Sequence, residues 1–187
     1  MAEPVREIPG PAGQLEVLFD RPKGEPRVAV VFAHPLPTQG GTMHTKVVFQ
    51  AAKALADIGC VVLRFNFRGV GRSAGTWDNG RGELDDYRAT VDYMAAEHPG
   101  LKMWAAGFSF GSYVALTVGA TDPRIGALIA IAPPVDRYDY SPVVQAAKPT
   151  FIVHGEPPAM EALSGAIHAK LGWNTKMPQH HEVVELT

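Results

Sequence analysis

The sequence has one cysteine, Cys60, and no apolar run approaching the roughly 20 residues that cross a bilayer. A lone cysteine excludes an internal disulfide, and its apolar surroundings predict a buried strand residue rather than a reactive thiol. An excess of charge of either sign is missing too. Lys+Arg number 17 against 19 Asp+Glu, a formal charge of −2 over 187 residues. That balance argues against a nucleic-acid partner, which would need a clustered basic surface. The polar start Met1-Ala2-Glu3-Pro4-Val5-Arg6-Glu7 lacks the apolar core of a secretion signal. No membrane partner and a cytoplasmic location are therefore expected. With 46% hydrophobic and 19% charged residues, the chain 1–187 is long enough for one domain and too short for two.

What is present is an alternation of short apolar runs with longer amphipathic segments. This pattern predicts an α/β fold, a mostly parallel twisted sheet with helices on both faces and no cap domain. Strands are expected at 15–19, 28–33, 61–67, 103–108, 127–132 and 150–154, with a weaker one at 182–186. The middle runs are apolar on both faces, as strands sandwiched between helix layers must be. Val48, Ala51, Leu55 and Ile58 recur at helical spacing, with Gly59 as the stop. The segment 83–96 places Leu84, Tyr87, Val91 and Met94 on one stripe, with Glu83, Asp85 and Asp86 in its first turn. The small-residue stretch 111–119 suits a helix lying hard against the sheet, and 157–171 reads as a last helix.

The chemistry concentrates at Gly107-Phe108-Ser109-Phe110-Gly111, preceded by a buried strand and followed by a helix. A serine at such a strand-to-helix turn is lifted clear of the sheet, and the helix start directs amides at charge developing on a substrate. Acyl transfer needs a second amide donor from the loop after an earlier strand. That loop is His34-Pro35-Leu36-Pro37, in which neither proline has an amide hydrogen, so Leu36 is the donor. The oxyanion hole is thus expected from the amides of Leu36 and Phe110, with Ser109 as nucleophile. Gly69-Val70-Gly71-Arg72-Ser73-Ala74 matches a dinucleotide fingerprint, but a polar, turn-rich stretch follows it instead of a helix. A tight strand-end turn is expected there, with Arg68 bracing neighbouring loops and no cofactor. His34 and His44 share a loop without a third ligand at metal spacing, so no metal is expected. Phe108, Phe110, Trp77 and Tyr138 are candidates to line an apolar pocket, with core packing as the alternative.

Together these stretches resemble the α/β-hydrolase superfamily, and within it a group of small, capless bacterial hydrolases. That group carries His-Pro-His-Pro and Gly-Gly-Thr-Met, an Arg-Phe-Asn-Phe-Arg-Gly-x-Gly-x-Ser strand end, an acidic helix start and Gly-Phe-Ser-Phe-Gly. The counterparts here are residues 34–37 (Leu36 replacing the second histidine), 40–43, 64–73, 82–86 and 107–111. The likeness covers roughly residues 15–156. It implies an esterase-like serine hydrolase acting on a small-molecule acyl substrate without cofactor or metal.

The same resemblance requires an acid after the strand at 150–154 and a histidine after the last strand. Beyond Asp139 the sequence has no aspartate, and Glu156 runs straight into Pro157-Pro158. His180 and His181 precede the strand at 182–186, and His168 falls within the helix at 157–171, so all three read as surface residues. Glu156 is the first acid candidate and Asp136 the second, while the histidine is unassigned. The segment after about 156 is atypical for the fold. Two readings stay open: a triad completed by residues outside the given sequence, or a catalytically impaired α/β-hydrolase-fold binding protein.

Overall fold

Helices cover both faces of the sheet, which is why its central strands are predominantly apolar on both faces. The computed structural model describes residues 6–146 and 148–153, with 160, 161, 164, 165, 168, 169 and 172. Its strands are β1 (Arg6–Gly10), β2 (Gly13–Asp20), β3 (Val28–Ala33), β4 (Cys60–Phe65), β5 (Lys102–Phe108), β6 (Ile125–Ile131) and β7 (Thr150–Val153). They form one sheet in the order β1-β2-β4-β3-β5-β6-β7. β1 and β2 are a hairpin and β2 runs antiparallel to β4, while the remaining pairings are parallel. The helices are α1 (Lys46–Asp57), α2 (Arg81–Glu97), α3 (Phe110–Thr121) and α4 (Ser141–Ala146).

Successive side chains of β3 face opposite ways, so each enters a different core. Val31 and Ala33 join Val91 of α2 and Val114 of α3, whereas Val30 and Phe32 join Val48 and Ala52 of α1. The result is a single-domain three-layer α/β fold. Tyr87 ties two layers together: its hydroxyl donates to the Val31 carbonyl (2.8 Å) and accepts from the Ala106 amide (3.1 Å).

The differences from expectation have local causes. β1 offers only Ile8 to the core and pairs on one side, too little pattern to read from sequence. β4 stops at Phe65 because the pairing lapses beyond it: the Asn66 amide still donates to the Glu16 carbonyl of β2 (2.9 Å), but the Glu16 amide goes to the Ser73 hydroxyl (2.9 Å) and the Phe67 amide to the His34 ring (3.1 Å). β6 ends one residue early, where Ala132 turns to a φ of +47°. α2 starts at Arg81, so only Glu83 lies in its first turn, accepting from the Gly80 (2.8 Å) and Asp78 (3.0 Å) amides. Asp85 pairs with Arg88 on the surface, and Asp86 turns inward to Arg68. α4 is too short to show a period. Cys60 is buried, as expected, and burial pushes its thiol up to about 11. The strand expected at 182–186, His154, His180, His181 and most of the helix expected at 157–171 lie outside the described residues.

Candidate active site

β5 ends at Phe108 and α3 begins at Phe110, leaving Ser109 alone in the turn with φ +53° and ψ −121°. A non-glycine residue in such a region costs of order 1–3 kcal/mol and persists only where its surroundings force it. Here they do. The Ser109 amide donates to the Ile131 carbonyl (2.8 Å), and its own carbonyl accepts from the amide (2.9 Å) and hydroxyl (2.6 Å) of Ser112. A Cβ on Gly107 would run into the Gly111 carbonyl, and one on Gly111 into the carbonyls of Ala33 and His34. The two glycines therefore allow the sharp turn and seat the start of α3 against the end of β3.

The loop leaving β3 is oriented by His34, which is fully buried. The Phe67 amide can only donate, so His34 Nε2 accepts its hydrogen (3.1 Å) and the ring proton sits on Nδ1. Nδ1–H then donates to the Pro35 carbonyl (2.7 Å). Burial lowers the His34 pKa to about 4, keeping the ring in this neutral form. In a trans peptide C=O and N–H point in opposite directions. Gripping the Pro35 carbonyl therefore turns the Leu36 N–H away from the buried ring. The Leu36 carbonyl is fixed as well, accepting from the Gln39 and Gly41 amides at 3.1 Å each. At the neighbouring strand end, Phe110 is the first residue of α3, and its amide has no intrahelical acceptor. β3 and β5 are adjacent, with Ala33 opposite Gly107. The structure thus brings the Leu36 and Phe110 segments together at the carboxyl end of the sheet, beside Ser109.

The other expected residues divide. Arg68 braces as anticipated: its guanidinium grips the Asp86 carboxylate through Nη2 (2.8 Å) and Nε (3.0 Å), and its amide also donates there (2.9 Å). The Gly69–Ala74 segment is a turn, stitched to β2 through the Ser73 hydroxyl and the Ala74 amide; the next helix begins only at Arg81. Phe110 and Phe108 point to opposite faces of the sheet, so the expected four-aromatic pocket is corrected. Phe110 is core, packed edge-on against Trp77 (5.2 Å) and Phe67 (5.6 Å). Trp77 and Tyr138 are partly exposed, and Tyr138 stacks on Tyr113 at 4.1 Å. Asp136 sits on the surface, its side chain 78% exposed and 4.0 Å from Arg137. Glu156 lies outside the described residues. His44 is exposed, and His98 follows α2 at the opposite end of the sheet from Ser109. Sequence reasoning gave Arg64 and Asn66 no role beyond the motif at 64–73 and did not single out Glu16; the three are buried together, and polar side chains in the apolar run 61–67 were the available signal for the first two.

The sequence profile of a family described as serine aminopeptidase, S33, matches residues 24–173, a span that takes in both loops and Ser109. The chain belongs to this family of α/β hydrolases. The chain shares 41% identity with an α/β serine hydrolase homologue from Coxiella burnetii (TM-score 0.84, 93% of this chain and 85% of that one). It shares 39% with a serine hydrolase without a lid from Xanthomonas campestris (TM-score 0.77, 88% and 78%). A monoacylglycerol lipase from Mycolicibacterium smegmatis is 30% identical over 141 residues, 72% of this chain and 49% of the lipase. The chain spans 63% and 49% of the lengths of the two curated relatives it matches.

Proposed function

We propose that this hydrolase cleaves a small carboxylic ester through an acyl-enzyme on Ser109. The observation that carries the proposal is the positive-φ serine fixed between a buried strand and a helix start. Ser109 Oγ attacks the substrate carbonyl, and its proton passes to a histidine base oriented by an acid, for which Glu156 and Asp136 are the candidates. The carbonyl oxygen becomes an oxyanion held by the amides of Leu36 and Phe110. Collapse of this intermediate expels the alcohol, which takes the proton, and water then releases the acid by the same steps. Each amide in such a hole is worth about 2.7–4 kcal/mol of transition-state stabilisation. The monoacylglycerol lipase relative supports an ester as the bond cleaved. The neutral, doubly occupied His34 ring supports a structural part for that residue, distinct from the base.

A fluorophosphonate probe tests the proposal, since it phosphonylates only an activated serine. Intact mass is expected to show one adduct, mapped by peptide fragmentation to Ser109 and absent from Ser109→Ala. A folded wild type that takes no adduct would sink the esterase proposal.

A further inference from the structure

One buried polar group plays no part in the chemistry above. Arg64 and Asn66, at the end of β4 and just past it, are each 2% exposed. Arg64 Nη1 donates to the carbonyl of Met43 (2.7 Å), while the amide of Met43 donates to Asn66 Oδ1 (2.8 Å). One residue of the loop after β3 is therefore held by both of its backbone polar groups. The holders are themselves held. Arg64 donates through Nε (2.6 Å) and Nη2 (3.2 Å) to Asp20, and Asn66 Nδ2 donates to Glu16 Oε2 (2.7 Å). The same Glu16 oxygen accepts from the Arg72 amide (2.9 Å). Two residues before Met43, Gly41 donates to the Leu36 carbonyl and leaves no room for a Cβ beside the Pro35 carbonyl. A buried ion pair is a poor source of stability, because desolvation offsets much of its attraction. Its geometry is what an apolar substitute would not reproduce.

We propose that Arg64 and Asn66 are positioning residues for the oxyanion loop. They fix the backbone of Met43, and through Gly41 they fix the Leu36 amide. His34 grips the loop at its beginning and this brace grips it at its end. The inference rests on the esterase proposal, since it assigns the loop a catalytic amide. Loosening the brace displaces a donor without removing a group that touches substrate, so turnover suffers while ground-state binding does not.

The test uses p-nitrophenyl acetate, with competent sites counted by the fluorophosphonate end point. A trifluoromethyl ketone serves as inhibitor, because its adduct on Ser109 carries an oxyanion. In Arg64→Met and Asn66→Ala, kcat per titrated site is expected to fall about 10- to 100-fold with KM within threefold. The ketone's inhibition constant should rise in step with the loss of kcat/KM, a change that a merely structural role would not produce. Arg64→Lys keeps a charge beside Asp20 and a donor for Met43, guards against loss of the fold, and should fall between wild type and Arg64→Met. Folded variants with wild-type kcat per site and inhibition constant would overturn the brace alone. A folded wild type inert to both ester and fluorophosphonate would instead overturn the esterase proposal beneath it.

Discussion

His34 shows how one residue's protonation state supports a whole loop. Burial takes its pKa from 6.5 down to about 4. Between those values the unfolded chain binds a proton that the folded chain refuses, so stability rises with pH across this window. The contribution is withdrawn as pH falls from about 6.5 to about 4, by roughly 3 kcal/mol in all. Urea unfolding of wild type and His34→Gln should reveal it. Glutamine supplies a donor and an acceptor but does not titrate, so the wild-type loss between pH 6.5 and 4 should exceed the variant's. Parallel pH dependences would remove His34 from the account. Acid should also slow fluorophosphonate labelling, because a doubly protonated ring has no lone pair for the Phe67 amide.

At the scale of elements, a buried ion pair ties the exit of β4 to the side of α2. Asp86 is fully buried, and the Arg68 side chain opposite it is 12% exposed. Removing one partner strands the other without water, so Asp86→Ala is expected to cost about 3–5 kcal/mol. The urea midpoint reads this directly, and a loss under 1 kcal/mol would mean that the pair is dispensable. Elements also set what a sequence discloses. Val28–Ala33 and the segment 103–108 were legible because strands buried on both faces are apolar on both faces. The strand β1 was not, since an edge strand with one inward residue carries no period. Glycine spacing around Ser109 disclosed the turn because backbone collision is a local property. The Met43 brace was hidden because its members come from β2, β4 and the loop after β3, and only pairing of the strands brings them together.

Over the whole molecule, stability should be graded from the middle of the sheet outward. β3 and β5 lie at its centre, whereas β1 is paired on one side only. By hydrogen exchange, amides of Val30, Phe32 and Ala105 should open only with global unfolding. Those of β1 should exchange at least about 100-fold faster, a gap of about 2.7 kcal/mol. Equal protection across the sheet would mean that no such gradient exists.

The Tyr87 hydroxyl, between the Val31 carbonyl and the Ala106 amide, has a further consequence. It stitches together the two strands whose ends carry Leu36 and Ser109, a few residues below the site. The two loops of the candidate site therefore leave strand ends held at strand spacing, about 4.7–4.9 Å, and the holds on His34 and Met43 then set the path of the first loop. Trp77 and Tyr138 lie at the partly exposed edge of the aromatic cluster and take no part in that stitch. Under the esterase proposal, substitutions at that edge would change the surroundings of the site while leaving the strand-end spacing as it is.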